Sequence, residues 1–309
     1  MNSPRITAVV VTYKSARVVG AALTSLRRSH ERGLLECIVV DNLSTDETVE
    51  IVRREHPWAH LIPTGKNLGY GRGCNVGLAE TTTPYVMFMN PDATIEPDHV
   101  ERLRAFLEAR PAVGMVAPAL TGGSELQIAG GLASPRTIMI QATGRRLKSR
   151  RPIVPGQPAF QADWLCGALF MMRTDVVRRF GGFDPRFFLY FEETDLCRRV
   201  LKEGLELWAV GEAVAHHEGG ASAVQEREGM FAGCISEHYF RSRYYYLRKH
   251  WGLAVATVTE LTEVALVAMR WVARRVAGRG ASYLTSHLRR PILRLPAAPE
   301  AWSGVRECH

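Results

Sequence analysis

Three apolar runs, each stopping at polar side chains, constrain this chain more than any other feature. Residues 6–11 end at Thr12 and Tyr13, residues 35–40 at Asp41 and Asn42, and residues 85–89 at Asn90, Pro91 and Asp92. Each run has the length and β-branched character of one buried strand. Between them lie helical patterns. Val18, Ala22 and Leu26 follow Ser15, a candidate N-cap, and Ser44 with Glu47 has capping-box spacing for a helix to about Arg54. Residues 61–63 read as a third strand, 71–79 and 97–109 as helices, and 113–117 as a fifth strand. Such alternation with short connections predicts an α/β fold: a doubly wound, mostly parallel sheet with helices on both faces. In such sheets ligands bind beyond the carboxyl ends of the strands, where the polar groups stand.

A lone Asp at a strand end is ordinarily a turn former or helix cap. Polar groups at three strand ends together favour a polar ligand. The glycine-rich segment from Asn67 through Gly69, Gly71, Gly73 and Asn75 to Gly77 resembles a dinucleotide loop only superficially. That fingerprint follows the first strand, whereas this one follows the third, and the last glycine of the pattern falls on Cys74. Glycines opening a helix beside a phosphate remain open as a reading.

The densest chemistry lies further on. Gly181, Gly182, Phe183 and Asp184 lead into Phe187, Phe188, Tyr190 and Phe191, then Glu192, Glu193 and Asp195. Leu196, Val200 and Leu201 fit the buried side of a helix ending near Gly204, with the three acids on its first turn. Two acids would suffice to complement a helix dipole. Three behind an aromatic run repel one another, which raises at least one pKa unless a cation or Arg compensates. Downstream, His216 and His217 follow a strand-like run and precede a glycine turn, a placement suited to metal or phosphate. One His, Asp92 and a diphosphate would complete an oxygen-rich site for Mg2+ or Mn2+.

In order along the chain stand Val11-Thr12-Tyr13, the segment from Val40 to Asp46, and the glycine segment from Asn67 to Gly77. Next come Met89 to Asp92, Gly167 to Arg173, Gly181 to Asp184, Phe188 to Asp195, and His217 to Ser222. This ordered set, over about residues 6–222, resembles the family-2 inverting glycosyltransferases of GT-A fold, in their bacterial rhamnosyltransferase-like branch. The resemblance implies that Thr12, Tyr13, Asp41 and Asn42 hold the nucleoside, with Asn67, Gly69, Asn75 and Asn90 nearer ribose and phosphate. It implies Asp92 and His217 (alternatively His216) as metal ligands for Mg2+ or Mn2+. Glu193 falls at the general-base position, with Glu192 and Asp195 as the other acids, and Trp164, Cys166 and Gly167 where donor sugar and acceptor meet. Two positions depart from the family pattern. Asn90 is neutral where many relatives carry an acid, and Glu193 is one methylene longer than the usual Asp, which makes Glu192 or Asp195 the alternative if the backbone does not compensate.

The implied activity is transfer of a sugar, L-rhamnose from dTDP-L-rhamnose in the first instance, onto a hydroxyl of a glycan or polyprenyl-linked acceptor in cell-wall or surface polysaccharide synthesis. A UDP-sugar donor, or a catalytically silent sugar-nucleotide-binding subunit, are the alternatives. The expected organisation is a catalytic domain over 1–235 and a basic helical extension over 236–309. Within the former, a nucleotide-binding half spans about 1–118, a loop over the site about 121–162, and an acceptor half about 163–235.

The net charge of +8 is carried entirely by residues 239–309, with twelve Lys and Arg against four Asp and Glu. Such a tail invites an anionic membrane surface or nucleic acid. Nucleic acid is not the expected partner, because it leaves the acidic cluster unexplained. The apolar segment 255–276 is interrupted by Glu260, Glu263, Arg270 and Arg274, so it is not expected to span a membrane. Leu261, Val264, Ala265, Ala268, Trp271 and Val272 instead make one apolar face, expected to pack on the catalytic domain, on a second subunit of a homodimer, or on a membrane surface. Six cysteines without a C-x-x-C pair, and no leader-like start, predict reduced thiols and a cytoplasmic protein, with the basic tail allowing a peripheral place on the inner face of the cytoplasmic membrane.

Overall fold

The computed structural model describes residues 5–122, 128–145, 151–218 and 233–278, with 285, 288 and 292–295. Residues 219–222 of the His217 segment, Arg146, Lys148 and Arg150 of the basic loop, and most of the tail beyond 278 lie outside the described residues. The elements in chain order are β1 (Ile6–Thr12), α1 (Val19–Glu31), β2 (Leu35–Asp41), α2 (Thr48–Glu55), β3 (His60–Pro63), α3 (Tyr70–Glu80), β4 (Tyr85–Met89) and β5 (Ala93–Ile95). They continue with α4 (Pro97–Glu108), β6 (Val113–Thr121), β7 (Ile128–Ala129), α5 (Pro135–Ala142), β8 (Arg151–Pro152), β9 (Phe160–Ala162) and β10 (Leu169–Arg173). The last are α6 (Thr174–Arg179), α7 (Glu192–Lys202), β11 (Glu206–His217) and α8 (Gly233–Val276).

The chain divides into two units. The first comprises Met1–Leu132, Arg150–Pro185 and Glu192–Ser222, and the second Ala133–Ser149, Arg186–Phe191 and Ala223–His309. The first holds the main sheet, ordered β3-β2-β1-β4-β10-β6-β11-β5, with β9 paired to β11. β1 to β4 are parallel neighbours, β6 and β11 are parallel, and β10 runs antiparallel between β4 and β6. Every residue of β1 is buried, because helices cover both faces. Its alternate residues enter different cores, Ile6, Ala8 and Val10 one side and Val9 and Val11 the other. The α/β fold predicted from the strand–helix alternation is therefore the fold observed.

Close packing of α3 on the sheet explains its glycines. A Cβ on Gly73 would stand 2.7 Å from Val11 Cγ1, and one on Gly77 2.4 Å from Val9 Cγ1. The i, i+4 spacing on the helix thus matches the i, i+2 spacing on β1. This is a packing seam, and the phosphate reading of these two glycines gives way to it.

Two predicted caps are replaced. α1 begins at Val19 behind Val18, with no side-chain cap. Ser15 instead exchanges hydrogen bonds with the backbone of Tyr13. The Ser44–Glu47 box does not form: Ser44 Oγ accepts from the Lys14 amide, and the Asp46 carboxylate takes the Thr48 amide. An Asx turn has outcompeted the box, since Asp46 lies two residues before the amide it binds. The 121–162 stretch, expected as a loop, carries β7, α5, β8 and β9 among its described residues.

In the second unit α8 is broken at Gly252, whose backbone (φ 84°, ψ 168°) is open to glycine and strained for other residues. Its arms, 233–251 and 253–276, form a hairpin pinned by ions: buried Arg243 on the first donates to Glu260 (3.1 Å) and to Glu263 (3.1 Å) on the second. The aromatic run packs here too, Phe187 on Tyr245 and Phe191 on Tyr239 and Tyr246. Tyr190 and Phe191 hold consecutive left-handed conformations (φ 67° and 68°), a pair of strained non-glycine residues immediately before α7.

Candidate active site

The strand order places a reversal between β1 and β4, and the crevice beyond their carboxyl ends is where ligands enter such sheets. The residues at these ends divide into braced and available groups. Thr12 Oγ donates to Asp41 Oδ1 at 2.9 Å, and the Ser44 amide donates to Asp41 Oδ2 at 3.0 Å. Asn42 Nδ2 donates to the Gly69 carbonyl at 2.9 Å, and Asn67 Oδ1 accepts from the Gly69 amide at 3.0 Å. Thr12, Asp41 and Asn42 are all buried. They tie the ends of β1 and β2 to the entry of α3. Tyr13 differs: its hydroxyl is buried and has no hydrogen-bond partner among the described residues.

Asn75, expected near ribose and phosphate, is a strut. Its Nδ2 donates to the Phe183 carbonyl and its Oδ1 accepts from the Phe183 amide, both at 2.8 Å. Both ends of the carboxamide are committed, which joins α3 to the Gly181–Gly182 turn.

At the end of β4, Asp92 Oδ1 lies 3.1 Å from His217 Nε2, and Asn90 Nδ2 lies 3.5 Å from the same nitrogen. β5 and β11 bring them together, since His217 pairs with Ala93 in antiparallel register. Strand alternation turns His216 the other way, and its ring packs on Gly122, 2.1 Å from where a Cβ would stand. His217, not His216, therefore faces Asp92. A carboxylate and an imidazole suit Mg2+ or Mn2+ as a partial ligand set. Among the described residues no group of three His, Cys, Asp or Glu side chains is placed to hold a metal ion, so Asp92 and His217 are a pair and not a complete ligand set.

The second cluster stands at the start of α7. Glu192 is buried against Gly71, whose Cβ would meet Glu192 Cβ at 3.3 Å and Phe183 Cβ at 3.1 Å. Burial, and then the neighbouring Glu193, hold its carboxyl well above the usual carboxylate range. Glu193 is half-buried and lies over Gly167, whose Cβ would sit 3.2 Å from Glu193 Cγ. Burial also raises its pKa, while hydrogen bonds from backbone amides and from Thr194 and Trp164 pull it back. Thr194 Oγ donates to Glu193 Oε1 at 3.1 Å, and Trp164 Nε1 donates to Thr194 Oγ at 3.0 Å. Asp195 is placed differently: it is fully buried and accepts from Arg199 Nε at 2.8 Å in an i, i+4 ion pair. Within their own unit, Gly71 and Phe183 supply the apolar setting of Glu192.

Gly167 and Ala168 join the two clusters. The Asn90 amide donates to the Ala168 carbonyl at 2.8 Å, and Tyr70 Oη donates to the Gly167 carbonyl at 3.1 Å. Tyr70 and Thr194 were not singled out in the sequence. Tyr70 sits inside the glycine segment, and Thr194 sits between two acids, so pattern alone hid both.

Residues 7–180 match the sequence profile described as glycosyl transferase family 2. The chain belongs to that family. As a glycosyltransferase of this type it has relatives whose likeness extends beyond the profile. It is 29% identical to an N-acetylglucosaminyl-diphospho-decaprenol L-rhamnosyltransferase of Mycobacterium tuberculosis over 68% of this chain and 75% of the relative. The fold is shared with the mannosyltransferase PcManGT from Pyrobaculum calidifontis, solved with GDP-Man and Mn2+, at TM-score 0.50 and 18% identity, covering 93% of this glycosyltransferase and 86% of that chain. It is shared as well with S. aureus TarS 1-349 in complex with UDP-GlcNAc, at TM-score 0.52 and 15% identity over 92% and 90% of the two chains.

Proposed function

We propose that this enzyme is an inverting transferase that moves a hexosyl group from a nucleoside diphosphate to a hydroxyl of a glycan or lipid-linked acceptor. The observation that carries the reading is the link from Asp92 and His217 through Asn90, Ala168 and Gly167 to Glu193, which holds a candidate ligand pair and a candidate base on one frame. Glu193 takes the proton from the acceptor hydroxyl while that oxygen attacks the anomeric carbon opposite the departing diphosphate. One new C–O bond forms as the bond to the diphosphate breaks, so the configuration inverts. A divalent cation held by Asp92 and His217 would supply charge stabilisation to the departing diphosphate. Trp164 and Thr194 aim the Glu193 carboxylate, and Gly167 leaves it room, since a Cβ there would crowd Glu193 Cγ at 3.2 Å. Burial favours the neutral form of Glu192 more strongly than that of Glu193, which leaves Glu193 the better placed to carry the charge. Asp195 is assigned to holding α7 through Arg199, and Tyr13 to the nucleoside, for which its buried, unbonded hydroxyl is available.

Chains of this fold have been solved with UDP-GlcNAc and with GDP-Man, so the architecture does not select one base, and a UDP-sugar donor is the reading we place first. The mycobacterial relative favours dTDP-L-rhamnose as the second. The two are separated by thermal midpoints with UDP, dTDP and GDP, each with and without Mn2+, because a ligand binding only the folded protein raises the midpoint by mass action. A Mn2+-dependent rise selective for UDP supports the first, and one selective for dTDP the second. No rise with any nucleotide contradicts the proposal.

A further inference from the structure

The second arm of α8 is built inside out. Its acids, Glu260 and Glu263, are buried with Arg243, together with Ala256 and Val267. Its outward positions are apolar: Val258, Leu261, Met269, Val272 and Val276 follow one another at mostly three- and four-residue steps and are at least half exposed. The sequence alone leaves open whether the apolar face packs on protein or on a membrane surface. Arg243 turns the acids inward, since a buried guanidinium gives both carboxylates a partner inside the hairpin. By length and composition the helix is also long and apolar enough to cross a bilayer, contrary to expectation. The inward ion cluster holds one side of the arm to its own unit, which suits lying along a surface.

We propose that this stripe docks on an anionic lipid-bilayer surface. With Glu260 and Glu263 withdrawn, the outward stripe carries no acid, and Arg274 and Arg275 stand at its end. The whole net charge of +8 lies in residues 239–309, so apolar contact and charge attraction act on the same segment. A second copy is a poorer occupant, because its stripe would offer the arginines of the first no acid in either orientation. The inference stands on the helical unit and goes beyond the donor and the chemistry proposed above.

The test is flotation of the full chain with vesicles of phosphatidylcholine alone and of phosphatidylcholine mixed with phosphatidylglycerol. Wild type is expected to float with the mixed vesicles and to be released by salt. The exposed double variant Leu261→Glu with Val272→Glu should lose about ten-fold or more of that binding, while Arg274→Gln with Arg275→Gln should weaken it several-fold. Thermal midpoints and the nucleotide-dependent rise, measured on the same samples, show that the variants fold and keep the catalytic unit intact. Wild type that stays unbound, or a Leu261→Glu, Val272→Glu variant that floats as well as wild type, overturns the proposal. A wild-type dimer that the same variant splits into monomers overturns it too, by assigning the stripe to a subunit interface.

Discussion

Glu192 and Glu193 are neighbours in sequence and differ in what surrounds them. Glu192 is walled by Gly71 and Phe183, whereas Glu193 receives Thr194 and stands over Gly167. Burial lifts Glu192 above the value of about 4.3 that an unfolded glutamate has. The fold therefore favours its neutral form. The stability this gives is fully present below the unfolded value and is lost as pH rises through the folded one. Glu192→Gln should accordingly melt higher than wild type at pH 8, and the gap should close on acidification to pH 4. Equal midpoints at pH 8 would contradict a buried, neutral Glu192. Thr194→Val removes a hydrogen bond that lowers the Glu193 pKa, so the acid limb of kcat against pH should move to higher pH. A merely structural role for Thr194 would lower activity without moving the limb. Neither effect was legible in the sequence, where the three acids looked alike. Asp195 separates from them only because Arg199 lies one helical turn on, a spacing that was present in the sequence but not weighed.

At the scale of elements, the seam between α3 and β1 depends on having no side chain at two positions. Gly77→Ala would place a Cβ 2.4 Å from Val9 Cγ1, and should cost about 1–3 kcal/mol in denaturant unfolding, as overpacking does. In the hairpin, Arg243→Met leaves Glu260 and Glu263 buried without their guanidinium. Breaking such a cluster typically costs about 3–5 kcal/mol. The loss should be read as a fall in the thermal midpoint at neutral pH. Strand positions were legible because burial on both faces forces continuous apolar runs, as in β1, β2 and β4. Caps were not, because Ser44 and Asp46 both offer oxygens within reach and only the fold decides which amide each takes. The direction of the second arm's apolar stripe stays open in the sequence for a related reason: periodicity finds the stripe but cannot say which way it points when a distant arginine neutralises the other side.

For the molecule as a whole, the ordered motifs from Thr12 to His217 identified the fold and the family, since each marks a strand end or a helix entry of one sheet. What they could not reveal is the frame between them, the Asn90–Ala168 and Tyr70–Gly167 hydrogen bonds that connect residues distant in sequence. That frame carries the central claim that Glu193 is the base. The direct measurement is turnover of a nucleotide sugar that binds in the thermal panel, by wild type and Glu193→Gln, with nucleotide affinity determined alongside. Glu193→Gln is expected to lose about 100-fold or more in kcat, the scale of removing a general base, with the affinity for nucleotide and Mn2+ unchanged within a few-fold. A Glu193→Gln enzyme that turns over at near wild-type rate would contradict it and pass the role to Glu192.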